Sequence, residues 1–112
     1  MMIVEGGEVR NFKGIIHIAG TSYQGEINLP YRTMVRIFGK PNVGNDGYKT
    51  DAEWHVMTPT GPASIYNYKD GKNYCGRSGT PTTKLVNWHI GGRDASAYAW
   101  VDLAVLAYLN NA

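Results

Sequence analysis

The stretch Tyr66-Asn67-Tyr68-Lys69-Asp70-Gly71-Lys72-Asn73-Tyr74-Cys75-Gly76 places aromatic and cationic residues around a single turn signal. Asp70-Gly71 predicts a two-residue β-hairpin turn, because such turns need positive φ at both central positions, which glycine adopts freely and aspartate tolerates. In this hairpin Lys69 would face Lys72 directly, and like charges in that position repel. We therefore expect the tip of the hairpin to contact water or an anion.

Period-two patterns on either side of this stretch predict an antiparallel sheet. In residues 52–57, Ala52, Trp54 and Val56 alternate with more polar positions, which is typical of a strand buried on one face. Further strands are predicted over residues 14–19, 63–68 and 84–90, a weak strand or a flexible tail over residues 1–12, and loops over residues 20–25 and 39–47. The expected sheet has four to five strands.

Two helices complete the predicted fold. Apolar residues recur at helical spacing over residues 28–38, where Asn28 is a candidate cap. A second helix is predicted over residues 94–110, capped by Asp94 or Ser96. The expectation is a single α+β domain over residues 1–112, in the order β-α-β-β-β-α, with both helices packed on one face of the sheet.

The C-terminal helix has an unusual composition. From Ala97 to Leu109 every residue except Asp102 is apolar or aromatic, so no side of the helix is properly hydrophilic. A helix that is apolar all round is normally buried all round. Because a chain of 112 residues can cover only one side of it, we expect the other side to meet a second subunit in a homo-oligomer.

Charge and cysteine content narrow the class of protein. A formal net charge of +2 is too small to require a nucleic-acid backbone as partner, and it disfavours imitation of DNA by carboxylates. Cys75 is the only cysteine, which excludes an internal disulfide and fits a cytoplasmic protein. The sequence shows no signal-peptide pattern and no apolar run of membrane-spanning length, so no membrane association is expected.

Strand alternation predicts that the sheet face opposite the helices carries polar and aromatic groups. These are His17, Glu53, His55, Tyr66, Tyr68, Asn87 and His89. Three imidazoles and a carboxylate could bind zinc, and Cys75 with His89 could form a nucleophile pair. No two histidines have the spacing of a known metal site, and a lone cysteine is more often an apolar filler, so we predict no metal, no cofactor and no catalytic residue.

A binding function uses the loop residues better. Tyrosine rings stack on bases, lysine and arginine pair with phosphate, and amides supply hydrogen bonds to ring edges. The candidate ligand-binding residues, most of them in or beside loops, are Tyr23, Gln24, Tyr48, Lys49, Lys69, Lys72, Tyr74, Arg77, His89 and Arg93.

Several motifs of this chain resemble those of a family of small, mostly uncharacterised proteins encoded by tailed bacteriophages. They are Gly20-Thr-Ser-Tyr-Gln-Gly25, Phe38-Gly-Lys-Pro41, Asp46-Gly-Tyr-Lys-Thr-Asp-Ala-Glu-Trp54, Ile65 to Gly76 and Asn87-Trp-His-Ile-Gly-Gly92. The resemblance implies the cytoplasm of an infected bacterium as the setting and resistance to host defence as the role, and it transfers no site residue.

Three functions therefore enter as hypotheses. The leading one is a non-enzymatic anti-defence protein that sequesters a nucleotide-type immune signal. The second is an inhibitor that binds a host defence protein directly, in the manner of an anti-CRISPR protein. The third is a small hydrolase that uses His55, His89, Cys75 or a histidine-bound metal.

Overall fold

A computed structural model describes residues 2–111 of the protein, which form an α+β fold. Within that range the chain forms six strands, β1 to β6, and three α-helices, α1 to α3. The strands are Met2–Glu5, Glu8–Asn11, Ser22–Asn28, Glu53–Thr58, Gly61–Tyr66 and Asn87–Gly92, and the helices are Tyr31–Phe38, Lys72–Cys75 and Ala95–Asn110. Two 3-10 turns, Gly76–Ser78 and Thr82–Lys84, lie between α2 and β6.

The strands form one mixed sheet in the order β2-β1-β4-β5-β6-β3. The prediction of a purely antiparallel sheet of four to five strands is wrong, because β1 joins β4 in parallel, with Met2 opposite Val56. Gly6 and Gly7 both have positive φ, 59° and 85°, which is the backbone of a tight hairpin turn, so the first residues form the β1-β2 hairpin. Val4 of that hairpin is buried in the core, and Met2 and Val9 pack against it partly buried.

The strand predicted over residues 14–19 is wrong. That segment is irregular, and Ile15 is 77% exposed. The strand forms instead at Ser22–Asn28, within and beyond the predicted loop, and pairs antiparallel with β6. An ideal Cβ on Gly25 would lie 2.7 Å from the Tyr98 ring of α3, so a residue without a side chain is needed where the helix crosses this strand.

The core lies between the sheet and the two long helices. Trp54 and Trp88 are fully buried on neighbouring parts of one sheet face, with ring centroids 5.3 Å apart. Both α1 and α3 contribute to this core, through residues such as Phe38 and Val101, so both helices cover the same face as predicted. α3 also begins as predicted, since the Asp94 side chain accepts a hydrogen bond from the Ser96 backbone N–H.

Several strand and helix boundaries differ from the prediction, including β5, which runs over Gly61–Tyr66 rather than residues 63–68. α1 begins at Tyr31 rather than near Asn28, because Asn28 ends β3, where its side-chain oxygen accepts a hydrogen bond from Asn87. β6 begins at Asn87 rather than at residue 84, so Val86 lies outside it and is 53% exposed. Residues 39–47 form a loop, as predicted, apart from a bridge at Val43.

The hairpin predicted at Asp70-Gly71 is absent from the described residues. β5 ends at Tyr66, and the chain then turns into the four-residue helix α2. Gly71 has φ of −97°, and the residue with positive φ is Lys69, at 59°. The predicted facing of Lys69 and Lys72 is therefore wrong. The cause is a set of hydrogen bonds from Asn67, described below, that ties this stretch to residues 51 and 52.

Candidate functional site

The sheet face opposite the helices carries a row of polar residues that crosses four strands. Register places Glu53 opposite Tyr66, Tyr66 opposite His89, and His89 opposite Glu26. The next row runs from His55 through Ser64 and Gly91 to Tyr23. Strand alternation thus assigned Glu53, His55, Tyr66, Asn87 and His89 to the correct face, whereas His17 lies in the irregular segment before β3.

His89 is the centre of an aromatic cluster on this face. Its ring centroid lies 5.3 Å from that of Tyr68 at an interplanar angle of 27°, which is a stacked arrangement. Tyr23 meets His89 edge-on at 5.0 Å, and Tyr66 lies 5.7 Å away. The Glu26 carboxylate is 3.6 Å from His89 Nε2. Tyr68 and Tyr23 are exposed, so ring surface of this cluster is open to a ligand.

Two lysines extend the aromatic cluster at one end. Lys49 Nζ lies 5.9 Å from the Tyr68 ring centroid, and Lys69 Nζ lies 5.2 Å from the same ring. The two ammonium groups also lie within cation–π distance of Tyr48 and Tyr74, respectively, whose own rings are 5.2 Å apart. Aromatic surface and positive charge therefore meet at Tyr68.

Asn67 holds the loops that carry these lysines. Its side chain is fully buried, and its oxygen accepts hydrogen bonds from the backbone N–H groups of Asp51 (2.7 Å) and Ala52 (3.0 Å). Its amide nitrogen donates to the carboxylates of Asp51 (2.9 Å) and Asp70 (3.0 Å). Both lone pairs of the oxygen and both N–H groups of this amide are therefore used.

A direct backbone bond joins the two lysine-bearing segments. The Lys69 N–H donates to the Lys49 carbonyl at 2.8 Å. Gly71 approaches Asp51 so closely that a Cβ at position 71 would overlap the Asp51 carboxylate. The lysines thus project from two segments joined by hydrogen bonds, which we name the lysine loops (residues 45–51 and 67–76).

Asp46 shapes the first lysine loop. Its Oδ1 accepts hydrogen bonds from the backbone N–H groups of Tyr48, Lys49 and Thr50, at 2.9, 2.9 and 3.0 Å. These bonds, above all the one from Thr50, lower the pKa of the Asp46 carboxyl. Asp46 is therefore ionised at neutral pH and adds a negative charge beside Lys49.

A cleft of about 240 Å³ opens between the lysine loops, the start of β3 and the sheet. Ser64 and Gly91 form its floor, because these small residues pair between bulkier neighbours. A Cβ on Gly91 would overlap Ser64 Oγ, so the depression depends on glycine. The other lining residues are Ile18, Thr21, Ser22, Asp46, Lys49, Thr50, Glu53, Tyr66 and Tyr68.

Glu53 and His55 form an ion pair beside the cleft, and it is the least exposed of the ion pairs in this region. His55 Nε2 lies 2.6 Å from Glu53 Oε2, and the two side chains are only 14% and 16% exposed. Tyr66, directly across from Glu53, has its pKa raised by burial and then by repulsion from the Glu53 carboxylate. The Tyr66 phenol therefore stays protonated at neutral pH and can donate a hydrogen bond into the cleft.

The structure brings six of the ten candidate ligand-binding residues together. They are Tyr23, Tyr48, Lys49, Lys69, Tyr74 and His89. Gln24 instead donates to the Gly92 carbonyl at a bulge between β3 and β6. Arg93 donates to the carbonyls of Ala19 and His17, and Lys72 and Arg77 are exposed on α2 and the 3-10 turn after it.

Sequence reasoning missed the cleft itself. Its acidic and hydroxyl groups, notably Asp46, Ser64 and Thr21, were not among the candidates, and Glu53 was assigned only to the correct face. Asp46-Gly47 carried a local signal, since aspartate before glycine commonly accepts backbone hydrogen bonds in a turn. No local sequence signal indicated the pairing of Ser64 with Gly91, because this pairing depends on the register between strands that are distant in sequence.

Two arrangements considered for the hydrolase hypothesis, a histidine-bound metal and a Cys75–His89 pair, are not assembled in the described part of the chain. Among residues 2–111 no three histidine, cysteine, aspartate or glutamate side chains are grouped to hold a metal ion. The Cys75 thiol donates to the Lys69 carbonyl at 3.2 Å rather than to His89. The Cys75–His89 pair considered from sequence is therefore not formed.

Comparisons with known proteins add no relative. No protein-family model, no curated protein and no solved structure matches this sequence. Over residues 2–111, no helix combines the length and apolarity needed to cross a membrane.

Proposed function

We propose that this chain is a non-enzymatic binding protein for a small nucleotide-type ligand. The observation that carries the proposal is the aromatic cluster around His89 with Lys49 and Lys69 at its Tyr68 end. Stacking of a base on an exposed aromatic ring contributes about 1–3 kcal/mol. A phosphate close to two ammonium groups adds charge-assisted hydrogen bonds.

The ligand would lie with its base toward the cleft and its phosphate toward the lysines. The cleft contains Asp46 and Glu53 as well as Lys49, so a phosphate on its floor would meet two carboxylates. Lys69 is not among the lining residues of the cleft and lies within 5.4 Å of the Tyr68 and Tyr74 ring centroids, where a phosphate meets a cation instead. This division of charge gives the ligand one orientation.

We further propose the biological setting. The resemblance of its sequence motifs to those of bacteriophage proteins supports a setting in the host cytoplasm, where binding without cleavage would remove an immune signal from circulation. Cyclic dinucleotides, cyclic trinucleotides and nucleoside-diphosphate-ribose compounds all combine bases with phosphates, as the cluster and lysines require.

Calorimetry against these three ligand classes tests the proposal. We expect micromolar or tighter binding of at least one class, and a loss of about tenfold or more when Lys49 and Lys69 are both replaced by alanine, because the phosphate loses both cations. Lys84→Ala, an exposed lysine on the 3-10 turn near α1, is the matched control and should bind as the natural chain does.

The same complex distinguishes sequestration from hydrolysis. Ligand released by heating should be chemically intact, as judged by chromatography and mass spectrometry. Cleaved ligand would overturn the non-enzymatic part of the proposal, and an absence of binding in all three classes would overturn the whole.

A second candidate function is binding to another protein through the exposed side of α3. Leu103, Leu106 and Leu109 are 42%, 48% and 44% exposed and recur every three residues along the helix. We propose that this stripe, named the leucine stripe, contacts a second copy of the chain; a host defence protein is the alternative occupant. If the defence protein co-purifies with the chain while no nucleotide binds, direct inhibition replaces sequestration.

A further inference from the structure

We infer that Glu53 reads the base of the ligand and selects one that presents two adjacent hydrogen-bond donors, as guanine does. This inference rests on the proposed function and names the ligand class of the same site.

The position of Glu53 suits an edge-reading group. It lies on β4, a central strand, where the register fixes it directly opposite Tyr66, and its side chain is only 16% exposed while lining the cleft. His55 Nε2, at 2.6 Å from Oε2, fixes the orientation of the carboxylate. A group built on rigid strands and held by a buried neighbour is pre-organised for recognition.

The chemistry of a carboxylate decides which base edge it accepts. An ionised carboxylate only accepts hydrogen bonds, through about four lone-pair positions, so Oε2 can serve His55 and a ligand while Oε1 takes a second donor. Guanine offers N1–H and the N2 amino group side by side. Adenine places the acceptor N1 beside its amino group, and that lone pair would face the carboxylate oxygens.

The rest of the cleft adds further hydrogen-bond acceptors. Asp46 supplies a second carboxylate whose pKa is lowered by its backbone hydrogen bonds, and the hydroxyls of Thr21, Ser22 and Ser64 can all accept. Tyr66 provides a ring wall next to Glu53. The cleft therefore combines several acceptors with Lys49 in its lining and Lys69 beside Tyr68, which fits a donor-bearing base attached to a phosphate.

The experiment compares guanosine, inosine and adenosine monophosphates by calorimetry. Inosine keeps N1–H and lacks the N2 amino group, so affinity should fall in the order guanosine, inosine, adenosine, with at least about tenfold between the first and the last. Glu53→Gln should lower guanosine monophosphate affinity by about tenfold or more and leave adenosine monophosphate nearly unchanged. Glu8→Gln, the same change at an exposed position on β2, should alter neither.

Each contrary result has its own meaning. Equal binding of guanosine and adenosine monophosphates overturns this inference and leaves the proposed nucleotide binding in place, whereas binding of none of the three, together with none of the three signal classes, overturns both. A loss of affinity for 2′-deoxyguanosine monophosphate without base preference would assign Glu53 to the ribose and also overturn it. Should Glu53→Gln fail to fold by circular dichroism, the base preference of the natural chain decides alone.

Discussion

At the scale of single residues, Asn67 determines the conformation of the aromatic and basic stretch, Tyr66 to Gly76. An amide that is fully buried and bonded through both its oxygen and its nitrogen cannot exchange those partners for water at low cost. Its bonds reach Asp51, Ala52 and Asp70, and they position both lysine loops at once. One side chain therefore couples the stability of the fold to the placement of Lys49 and Lys69.

Asn67→Ala should consequently be severely destabilising. It removes four hydrogen bonds and leaves two backbone N–H groups and two carboxylates with fewer partners, for which we expect a loss of about 3 kcal/mol or more in the free energy of unfolding. Urea denaturation measures this loss. Asn110→Ala, at the exposed end of α3, is the matched control and should change stability by less than about 0.5 kcal/mol. A loss below about 1 kcal/mol for Asn67→Ala would contradict the role assigned to this amide.

The sequence predicted which residues lie on the open face of the sheet, but it did not predict the conformation of the Tyr66–Gly76 stretch. Strand alternation located Glu53, His55 and His89 correctly because the buried Trp54 and Trp88 fix the inward face. The Asp70-Gly71 turn signal failed because it is local. The bonds of Asn67 to residues 51 and 52 span 16 and 15 positions of sequence, and no pattern within the stretch records them.

At the scale of elements, α3 lies on the sheet through positions that have no side chain. Gly25 on β3 faces the Tyr98 ring, and Gly92 on β6 faces Ala97 so closely that a Cβ at position 92 would overlap the Ala97 methyl group. Glycines in the middle of a strand usually weaken it, but here they allow close helix approach. This also explains why β3 was missed: its polar and glycine-rich sequence resembles a loop, and contact with the helix is what selects it as a strand.

A double-mutant cycle tests this packing. Gly92→Ala should cost about 1–3 kcal/mol of unfolding free energy through overpacking against Ala97. In an Ala97→Gly background the same change should cost less than half as much, because the overlapping methyl group is gone. Thermal or urea unfolding of the four chains gives the coupling energy. Simple additivity of the two changes would show that Gly92 is needed for another reason.

At the scale of the whole molecule, the two faces of the sheet differ in what covers them. One face is covered by α1 and α3 and holds the tryptophan core. The other stays open and carries the aromatic cluster, the cleft and the lysines. The proposed binding groups therefore lie on a sheet whose other face packs against helices, so substitutions at Lys49, Lys69 or Glu53 can test affinity without removing core packing.

The outer side of α3 is the surface for which we propose a second copy of the chain as partner. Its inner side is buried through Ala97, Val101, Ala104 and Val105, while the leucine stripe faces outward. A contiguous exposed apolar surface of this kind is typical of a protein–protein contact. Because the stripe lies along one side of a helix, two copies can bury it against each other about a twofold axis, in which each subunit offers the same residues.

Light scattering coupled to gel filtration should accordingly show a homodimer or a higher oligomer. Leu103→Glu combined with Leu106→Glu should give a monomer that remains folded by circular dichroism, because charges replace apolar contact area on a face that the monomer leaves exposed. Val86→Glu is the matched control: Val86 is 53% exposed and lies on the connection into β6, away from the stripe, so its change should leave the oligomer intact. A natural chain that is monomeric at every concentration would leave the leucine stripe to the host defence protein as its occupant.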